Sequence, residues 1–247
     1  MFDLSGRKAL VTGASGGIGE EIARMLHAQG AVVGLHGTRV EKLEALANTL
    51  GERVQIFPAN LSDRAEVKAL GEKAEADLGG VDILVANAGG PPAGTFASTA
   101  YDAYLPALQL NLLSTVAMCQ AAVPPMVERG WGRVVGITSA SVRQPSPTLI
   151  LSNTARAGVT AFLKTLATEV APSGVTVNTV QPGLHATPRL AELYGDHIAR
   201  AAAAVPVGTL GDPDDFGATV AFLCSEHARF LTGASIPVDG GATGSLQ

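Results

Sequence analysis

The stretch that decides the fold is LVTGASGGIGEEIA, residues 10–23, in which a short apolar run enters a glycine-rich turn and an amphipathic segment leaves it. Four apolar residues beyond the turn fall on one helical face: Ile18, Ile22, Met25 and Leu26. Gly30 then follows as a stop signal. The stretch predicts a strand, a tight turn and a helix that begins directly after the glycines.

Short apolar runs repeat this pattern along the chain. They are residues 9–12, 31–36, 54–58, 82–86, 133–138, 175–180 and 235–239. Each run is nearly continuous in Val, Ile and Leu, which indicates strands buried on both faces of a parallel sheet. Helical patterns such as 41–50 and 65–78 lie between them as crossovers. The sequence therefore predicts an α/β fold of the Rossmann type: doubly wound, with a seven-stranded, mainly parallel sheet and helices on both faces.

No linker, repeat or low-complexity segment interrupts the 247 residues, so we expect a single domain, residues 1–247. An additional helical segment at about 184–207 precedes the last helix and strand. Insertions at the carboxyl end of a strand commonly cover a ligand, and this one is expected to form a substrate lid.

Charge and composition exclude several classes of protein. The net charge is −5 and no run of Lys or Arg occurs, which argues against a nucleic acid or membrane partner. The two cysteines and the absence of a CxxC or Cys/His pattern argue against a disulfide framework or a metal site. The first residues, MFDLSGRKALVTG, lack the apolar length of a signal peptide or membrane span, so a cytoplasmic location is expected.

The glycines of the turn point to a ligand. Gly13, Gly17 and Gly19 let backbone N–H groups approach a pyrophosphate, whose charge a helix N-terminus favours. Glycine also serves simply as turn punctuation, but the flanking strand and helix favour binding of a dinucleotide cofactor.

Several ordered motifs carry a family resemblance. The spacing TGxxxGxG at 12–19, ANAG at 86–89, the polar Ser139 after the fifth strand, and NTVQPG at 178–183 together resemble the short-chain dehydrogenase/reductase family. The first ninety residues are most similar to its 3-oxoacyl-acyl-carrier-protein reductases. The resemblance covers the whole chain. It implies a nicotinamide cofactor, a small-molecule carbonyl or hydroxyl substrate, and a homotetramer or dimer.

The resemblance also implies a set of cofactor-binding residues. They are Gly13, Ser15, Gly17, Ile18, Gly19, Thr38, Arg39, Asn60, Leu61, Asn87, Ala88, Gly89, Pro182, Gly183 and Thr187. In this set Asn87 to Gly89 wall the adenosine side and Asn60 holds the adenine edge, while Pro182, Gly183 and Thr187 border the nicotinamide. The alternative for Asn87 is an asparagine that only caps its loop.

The end of the second strand bears on the choice of nucleotide. An Asp or Glu there would bind the ribose 2′-hydroxyl and repel a 2′-phosphate, but this chain has His36, Gly37, Thr38 and Arg39. NADP(H) is therefore favoured, with Arg39 pairing with the 2′-phosphate, and NAD(H) stays open. The alternative for Arg39 is a solvated residue at the start of a helix.

The catalytic positions of the family are altered. In the family a serine after the fifth strand is followed thirteen residues on by a tyrosine and four beyond that by a lysine. The phenol donates a proton to the carbonyl, and the ammonium lowers the phenol pKa and holds the nicotinamide ribose. Ser139 matches the serine, whereas the same count reaches Ser152 and then Arg156. The segment from 157 to 170 follows in the family's register, so the two substitutions are real.

Asn111, in LQLNLLS, matches the family's helix asparagine that holds a water in the proton relay. The alternative is a mid-helix asparagine that only kinks its helix. Ser139, Ser152, Arg156 and Asn111 are thus the candidate catalytic residues.

These replacements change the available chemistry. A serine hydroxyl is a far weaker acid than a phenol, and Arg, with a pKa above ~12, cannot act as an acid. Ser139 and Ser152 can still polarise a carbonyl, and Arg156 can hold ribose hydroxyls. The alternative is a helix start with Ser152 as N-cap and Arg156 solvated. His185, after the QPG turn, is a further candidate acid.

Three functions stay open at this point. The first is an NADP(H)-dependent reductase of a carbonyl compound, a 3-oxoacyl substrate among the candidates, with a modified site. The second is a silent NADP(H)-binding sensor or a subunit of a mixed oligomer, favoured by the missing tyrosine and lysine. The third is a lyase or isomerase that uses the same pocket, because a fold does not determine a reaction. Arg189 and Arg200 of the lid are candidates for an anionic group of a substrate.

Overall fold

The computed structural model describes residues 2–245. Its strands are β1 (Lys8–Val11), β2 (Val32–Gly37), β3 (Val54–Pro58), β4 (Ile83–Ala86), β5 (Gly132–Ile137), β6 (Val175–Pro182) and β7 (Ser235–Val238). They form one sheet in the order β3-β2-β1-β4-β5-β6-β7, and every ladder is parallel. The strand order reverses between β1 and β4, which makes the carboxyl ends of these strands the switch point where such folds bind ligands.

Helices connect the strands. They are α1 (Gly17–Ala28), α2 (Val40–Leu50), α3 (Arg64–Leu78), α4 (Tyr104–Leu108), α5 (Ser114–Glu128), α6 (Ile150–Val170), α7 (Pro188–Tyr194), α8 (Ile198–Ala203) and α9 (Pro213–Cys224). Residues Gln109–Leu113 join α4 to α5 as a π-helical turn. One buried apolar cluster lies between the sheet and α1, α2 and α9, and a second lies between the opposite face and α3, α5 and α6.

The fold class predicted from the sequence is confirmed. Each of the seven apolar runs coincides with an observed strand to within two residues. The first helix begins at Gly17, so Gly17 and Gly19 lie in its first turn and not before it, where the sequence had predicted them. Its apolar face is the predicted one, with Ile22 and Leu26 fully buried and Ile18 and Met25 partly buried. The predicted domain of residues 1–247 includes residues 1, 246 and 247, which lie outside the described residues.

One helical stretch, Tyr101–Glu128, is long and apolar enough to cross a membrane by length and composition alone. In the fold it is the crossover from β4 to β5, and its residues Met118, Ala122 and Met126 are buried against the sheet. Its apolar character is therefore that of a core helix in an α/β layer.

Charged side chains surround Trp131 at the amino end of β5. The guanidinium carbons of Arg7 and Arg133 lie 3.6 and 4.3 Å from the centre of the Trp131 ring. Glu226 accepts a hydrogen bond from the indole N–H and lies 3.5 Å from Arg7 and 3.6 Å from Arg133. Arg133 is only 1% exposed, so Glu226 is the carboxylate that balances its buried charge.

We expect Glu226→Gln to lower the free energy of unfolding by about 1–3 kcal/mol, because Arg133 then keeps a buried charge with no carboxylate beside it. Urea unfolding followed by circular dichroism measures the loss. The control is Glu44→Gln, which changes an exposed carboxylate of α2 that forms no ion pair with the described residues. An equal effect of the two substitutions would contradict the role of Glu226.

Candidate functional site

The turn between β1 and α1 is built so that only glycine fits at its key positions. Gly13 and Gly17 have φ of +65° and +59°, in the left-handed region that residues with a side chain rarely adopt. A Cβ on Gly19 would lie 2.2 Å from the carbonyl oxygen of Gly13. The turn therefore exposes its backbone at the N-terminus of the twelve-residue α1, an arrangement suited to a phosphate group.

Thr12 and Asn87 hold this turn against the end of β4. The Thr12 hydroxyl donates to the carbonyl of Asn87 at 2.7 Å and accepts from its N–H at 2.8 Å. The Asn87 amide donates to the carbonyls of Thr12 and Gly13 at 3.2 and 3.4 Å. Asn87 therefore lies at the glycine turn, as the cofactor-binding interpretation requires. Its amide also caps the loop, as the alternative interpretation proposed.

His36, near the end of β2, hydrogen-bonds to the glycine turn. Its Nδ1 accepts from the N–H of Gly13 at 3.2 Å, and its Nε2 lies 3.0 Å from the carbonyl oxygen of Ala59. Because Nδ1 accepts, Nε2 carries the proton, and the ring is neutral. Desolvation lowers the pKa of His36 from its ordinary value of 6.5 to about 4, since the side chain is 2% exposed.

Arg39 lies over the turn. Its Nη2 donates to the carbonyl of Ser15 at 2.8 Å and approaches the Ser15 hydroxyl at 3.3 Å. A Cβ on Gly16 would lie 3.1 Å from the same Nη2, so the absence of a side chain at this position leaves room for the guanidinium. Arg39 is exposed but held at the turn, which differs from the freely solvated arginine of the alternative interpretation.

The remaining predicted cofactor residues lie around the same edge of the sheet. Thr187, the N-cap of α7, is 3.6 Å from the position of a Cβ on Gly17. Gly183 packs against Asp239, where a Cβ would be 2.6 Å from its Cα. The Asn60 side chain caps its own loop by accepting from Ser62 N–H at 2.9 Å. The other members of the set are the buried Leu61, the half-buried Ile18, Ala88 and Pro182, and the exposed Thr38 and Gly89.

The start of α6 differs from the predicted helix start. The helix begins at Ile150 with Leu149 as its N-cap, so the N-cap role considered for Ser152 is wrong. Ser152 is the third residue of the helix and is 8% exposed. No described residue hydrogen-bonds to its hydroxyl, which leaves that group able to bind another molecule.

Arg156 is half-buried and hydrogen-bonded to the backbone rather than freely solvated, which corrects the second part of that alternative. Its Nη1 donates to the carbonyls of Ile137 and Thr138 at 2.8 and 3.2 Å, and its Nη2 donates to the carbonyl of Ala88 at 3.0 Å. The guanidinium therefore joins the carboxyl ends of β4 and β5. No carboxylate of the described residues pairs with it, and desolvation lowers the pKa of Arg156 to about 10. It remains a cation at neutral pH.

Ser139 stands at the end of β5 and caps a short 3₁₀ turn, Ala140–Val142. Its hydroxyl oxygen accepts from the N–H and the hydroxyl of Ser141 at 3.1 and 2.9 Å. The Ser139 proton is thereby left free to be donated elsewhere. Ser141 was not foreseen, because nothing in the sequence distinguishes it from other loop serines.

Asn111 lies in the π-helical turn Gln109–Leu113. The side chain is 3% exposed, and its Nδ2 donates to the carbonyl of Ala107 at 3.4 Å. Its Oδ1 is buried without a hydrogen-bond partner among the described residues. A buried acceptor of this kind is expected to bind water, and π-turns are frequent at functional sites.

The loop after β4 contacts both the segment before α6 and α7. Gly94 pairs with the segment before α6, donating to Thr148 and accepting from Ile150 at 2.7 and 3.2 Å. Arg189 of α7 donates to the carbonyl of Pro91 at 3.3 Å, and it pairs with Glu192 at the same distance. The predicted insertion thus contains α7 and α8 and touches the loop after β4.

Other candidate groups lie elsewhere. His185 is 4% exposed, packs edge-on against Phe216 with ring centres 5.1 Å apart, and has its pKa lowered by desolvation. A neutral, core-packed ring does not fit the proton donor considered from the sequence. Arg200 is exposed. The tyrosines Tyr101 and Tyr194 are 88% and 36% exposed, and Tyr104 begins α4.

Comparison with known proteins agrees with this geometry. The family model described as enoyl-(acyl carrier protein) reductase matches residues 13–243. Nodulation protein G of a Rhizobium species is 48% identical over 241 residues, which is 98% of both chains. The 3-oxoacyl-(acyl-carrier-protein) reductase of Rickettsia conorii is 36% identical over 245 residues, again 98% of both chains. The solved structure of L-sorbose reductase from Gluconobacter frateurii, complexed with NADPH and L-sorbose, is 31% identical with a TM-score of 0.93 and covers 99% of both chains.

The state of His36 predicts a pH dependence. The folded pKa of about 4 lies below the ordinary 6.5, so the unfolded chain takes up a proton as pH falls while the folded chain does not. This group therefore contributes stability above pH 6.5 that is lost toward pH 4, about 2 kcal/mol of it between pH 7 and pH 5.

Urea unfolding at a series of pH values measures this loss. We expect His36→Gln to be less stable than the parent at pH 7 and to show a smaller loss down to pH 5. The control His197→Gln, at an exposed position, retains the parental slope. Parental slopes in both variants would contradict the assignment to His36.

Proposed function

The chain belongs to the short-chain dehydrogenase/reductase family, and on that premise we propose that it is an NADP(H)-dependent reductase of a carbonyl compound, acting by hydride transfer through a modified active site. As a member of that family it is an NAD(P)-dependent oxidoreductase with a small-molecule substrate. The observation that carries the preference for NADP(H) is the Arg39 guanidinium held over the glycine turn, where no acidic residue ends β2. A 3-oxoacyl group is the proposed substrate type, by analogy with the Rickettsia relative.

The residues present fit the cofactor. The glycine turn offers backbone N–H groups and the N-terminus of α1 to a pyrophosphate, and Arg39 offers a planar fork of donors to a 2′-phosphate. Thr187, which the family resemblance places beside the nicotinamide, lies against Gly17 and is proposed to contact the pyrophosphate there as well. When bound, the cofactor supplies the hydride for reduction of the carbonyl.

The chain's own residues are proposed to bind and polarise the carbonyl. The Ser139 hydroxyl, whose oxygen already accepts two hydrogen bonds, donates to the carbonyl oxygen, and the partner-free Ser152 hydroxyl is the second donor. Arg156 adds a positive charge that favours the developing oxyanion. The proton comes from water, which Asn111 Oδ1 orients. Without a phenol the rate is expected to fall by ~10² to 10⁴ relative to a site with general acid catalysis.

A second candidate is a silent NADP(H)-binding sensor or a subunit of a mixed oligomer. It is favoured by the contacts of Arg156, which engage backbone carbonyls at the ends of β4 and β5 and serve a structural purpose without any substrate. The two candidates share the cofactor site and differ only in turnover.

The wider proposal includes a lid, an assembly and a location. Residues 184–207, with α7 and α8, are proposed to close over the substrate, using the contact of Arg189 with Pro91. A homotetramer or dimer is proposed from the family, and a cytoplasmic location agrees with two buried free thiols, Cys119 and Cys224.

Arg39→Ala is expected to weaken NADPH binding at least tenfold and NADH binding much less, because only NADPH has the 2′-phosphate. Titration followed by the fluorescence of the reduced nucleotide gives both affinities. Lys42→Ala, which removes an exposed cation from the same helix, should leave both affinities as in the parent. A similar loss for the two nucleotides would exclude the 2′-phosphate role.

Turnover separates the two candidates. NADPH oxidation is measured with a panel of ketones, 3-oxoacyl thioesters and quinones, for the parent and for the double variant Ser152→Tyr, Arg156→Lys. The reductase proposal expects slow oxidation by the parent on one substrate and a gain of ~10² to 10⁴ in the variant. Tight NADPH binding without oxidation by either protein would instead favour the silent subunit or sensor.

A further inference from the structure

A cavity separate from the candidate active site lies on the α6 side of the sheet, away from the glycine turn. It has a volume of about 260 Å³ and opens between α6, β6 and the segment that leads into the edge strand β7. Its lining residues are Arg143, Thr160, Leu163, Lys164, Val177, Asn178, Thr179, Gly233, Ala234 and Ser235. At ~30 Å³ for each water it has room for about nine waters, which is enough for a small organic molecule.

The charges of this cavity have one sign. Arg143 and Lys164 both line it, and no Asp or Glu is among the lining residues. Neither cation forms an ion pair with a carboxylate of the described residues. In a chain with a net charge of −5, two unpaired cations on one cavity indicate a site for negative charge.

Backbone contacts hold the two cations in place. Arg143 Nη2 donates to the carbonyl of Ser235 at 3.2 Å, and Lys164 Nζ donates to the carbonyl of Gly233 at 2.9 Å. These carbonyls are two residues apart on one segment, so both cations are fixed to the same short stretch of backbone. Each keeps most of its N–H donors free, since an ammonium has three and a guanidinium five.

The uncharged lining groups are already satisfied by the protein. The Asn178 amide donates to Leu231 and accepts from Ala234, and the hydroxyls of Thr179 and Ser235 bond to each other at 2.6 Å. A neutral polar ligand would therefore find few free partners here. The free N–H donors belong to Arg143 and Lys164, so the cavity favours a ligand with negatively charged oxygen acceptors.

We propose that this cavity is a binding site for a small organic dianion, such as a dicarboxylate or a phosphate monoester, distinct from the nucleotide site. The two charges of the ligand match the two cations, and its oxygens accept from the free N–H groups of Arg143 and Lys164.

The cavity touches both elements that position the candidate catalytic residues. Arg143 follows Ser139 on the same loop, and Thr160 Oγ1 donates to the carbonyl of Arg156 at 2.9 Å. A bound dianion would fix the loop and the helix together. The site is therefore an effector site in our proposal, one that stabilises the arrangement of Ser139 and Arg156.

Isothermal titration calorimetry with malonate and with inorganic phosphate tests the site. The titrations use the full chain saturated with NADPH at constant ionic strength, so that the nucleotide phosphates occupy the glycine turn. We expect one of the two anions to bind, and we expect Lys164→Gln and Arg143→Gln each to weaken it at least tenfold.

Two controls separate charge from folding. Lys164→Arg keeps the positive charge and should retain binding, and Lys68→Gln, an exposed lysine of α3, should bind as the parent does. Circular dichroism of each variant checks that it folds.

Several results would overturn the site. These are binding of neither anion, equal binding by the parent and Lys164→Gln, or loss of anion binding in Arg39→Ala but not in Lys164→Gln. The calorimetry measures anion binding and not turnover. A lack of anion binding would therefore not contradict the proposed reductase activity, and a lack of turnover would not contradict this anion site.

Discussion

The hydrogen bonds between Thr12 and Asn87 join the ends of β1 and β4, and the whole candidate site is arranged around that junction. In a doubly wound sheet these two strands diverge in their connections, so their carboxyl ends leave a crevice. The Asn87 amide covers the carbonyls of the glycine turn, and His36 satisfies an N–H of the same turn from the core. The turn can then present its other N–H groups outward. Arg39 and Thr187 are both placed by contact with this fixed turn.

Charge is distributed unevenly around that junction. The chain is acidic overall, yet Arg39 and Arg156 stand at the candidate site without a carboxylate partner among the described residues. Arg156 is stabilised by three carbonyl oxygens at and beyond the carboxyl ends of β4 and β5. Peptide dipoles can thus hold a desolvated cation without cancelling its charge. An anionic ligand or a developing negative charge meets a positive field there.

Local patterns in the sequence predicted the elements well, because strand and helix periodicities are local properties. The glycine turn was predicted for the same reason, since steric exclusion at Gly13 and Gly19 leaves few other solutions. The start of α6 was not predicted. Ser152 resembles an N-cap, but the observed N-cap is Leu149, three residues earlier, where Gly94 pairs with Thr148 and Ile150. That pairing joins segments more than fifty residues apart, and no local signal encodes it.

The partners of Arg156 and the π-turn around Asn111 were also beyond the sequence. Counting along the chain located both residues, but it could not show that one guanidinium reaches three carbonyls on two strands. The role of His36 was equally hidden, because a histidine at a strand end is as often solvated as buried. A long apolar run that ends in a single His before Gly would be the signal to search for in related chains.

The chain's only tryptophan and a bound reduced nicotinamide are two fluorophores that report on opposite ends of the sheet. Trp131 lies at the amino end of the six-residue β5, and the candidate site lies beyond its carboxyl end, about 20 Å away at ~3.3 Å per residue. Indole emission therefore responds to the packing of Arg7, Arg133 and Glu226 at one end of the sheet, whereas nicotinamide emission responds to the other. A single sample can show loss of the cofactor before loss of the fold. The order of the two events reveals whether the edge of the sheet proposed to bind the nucleotide melts independently.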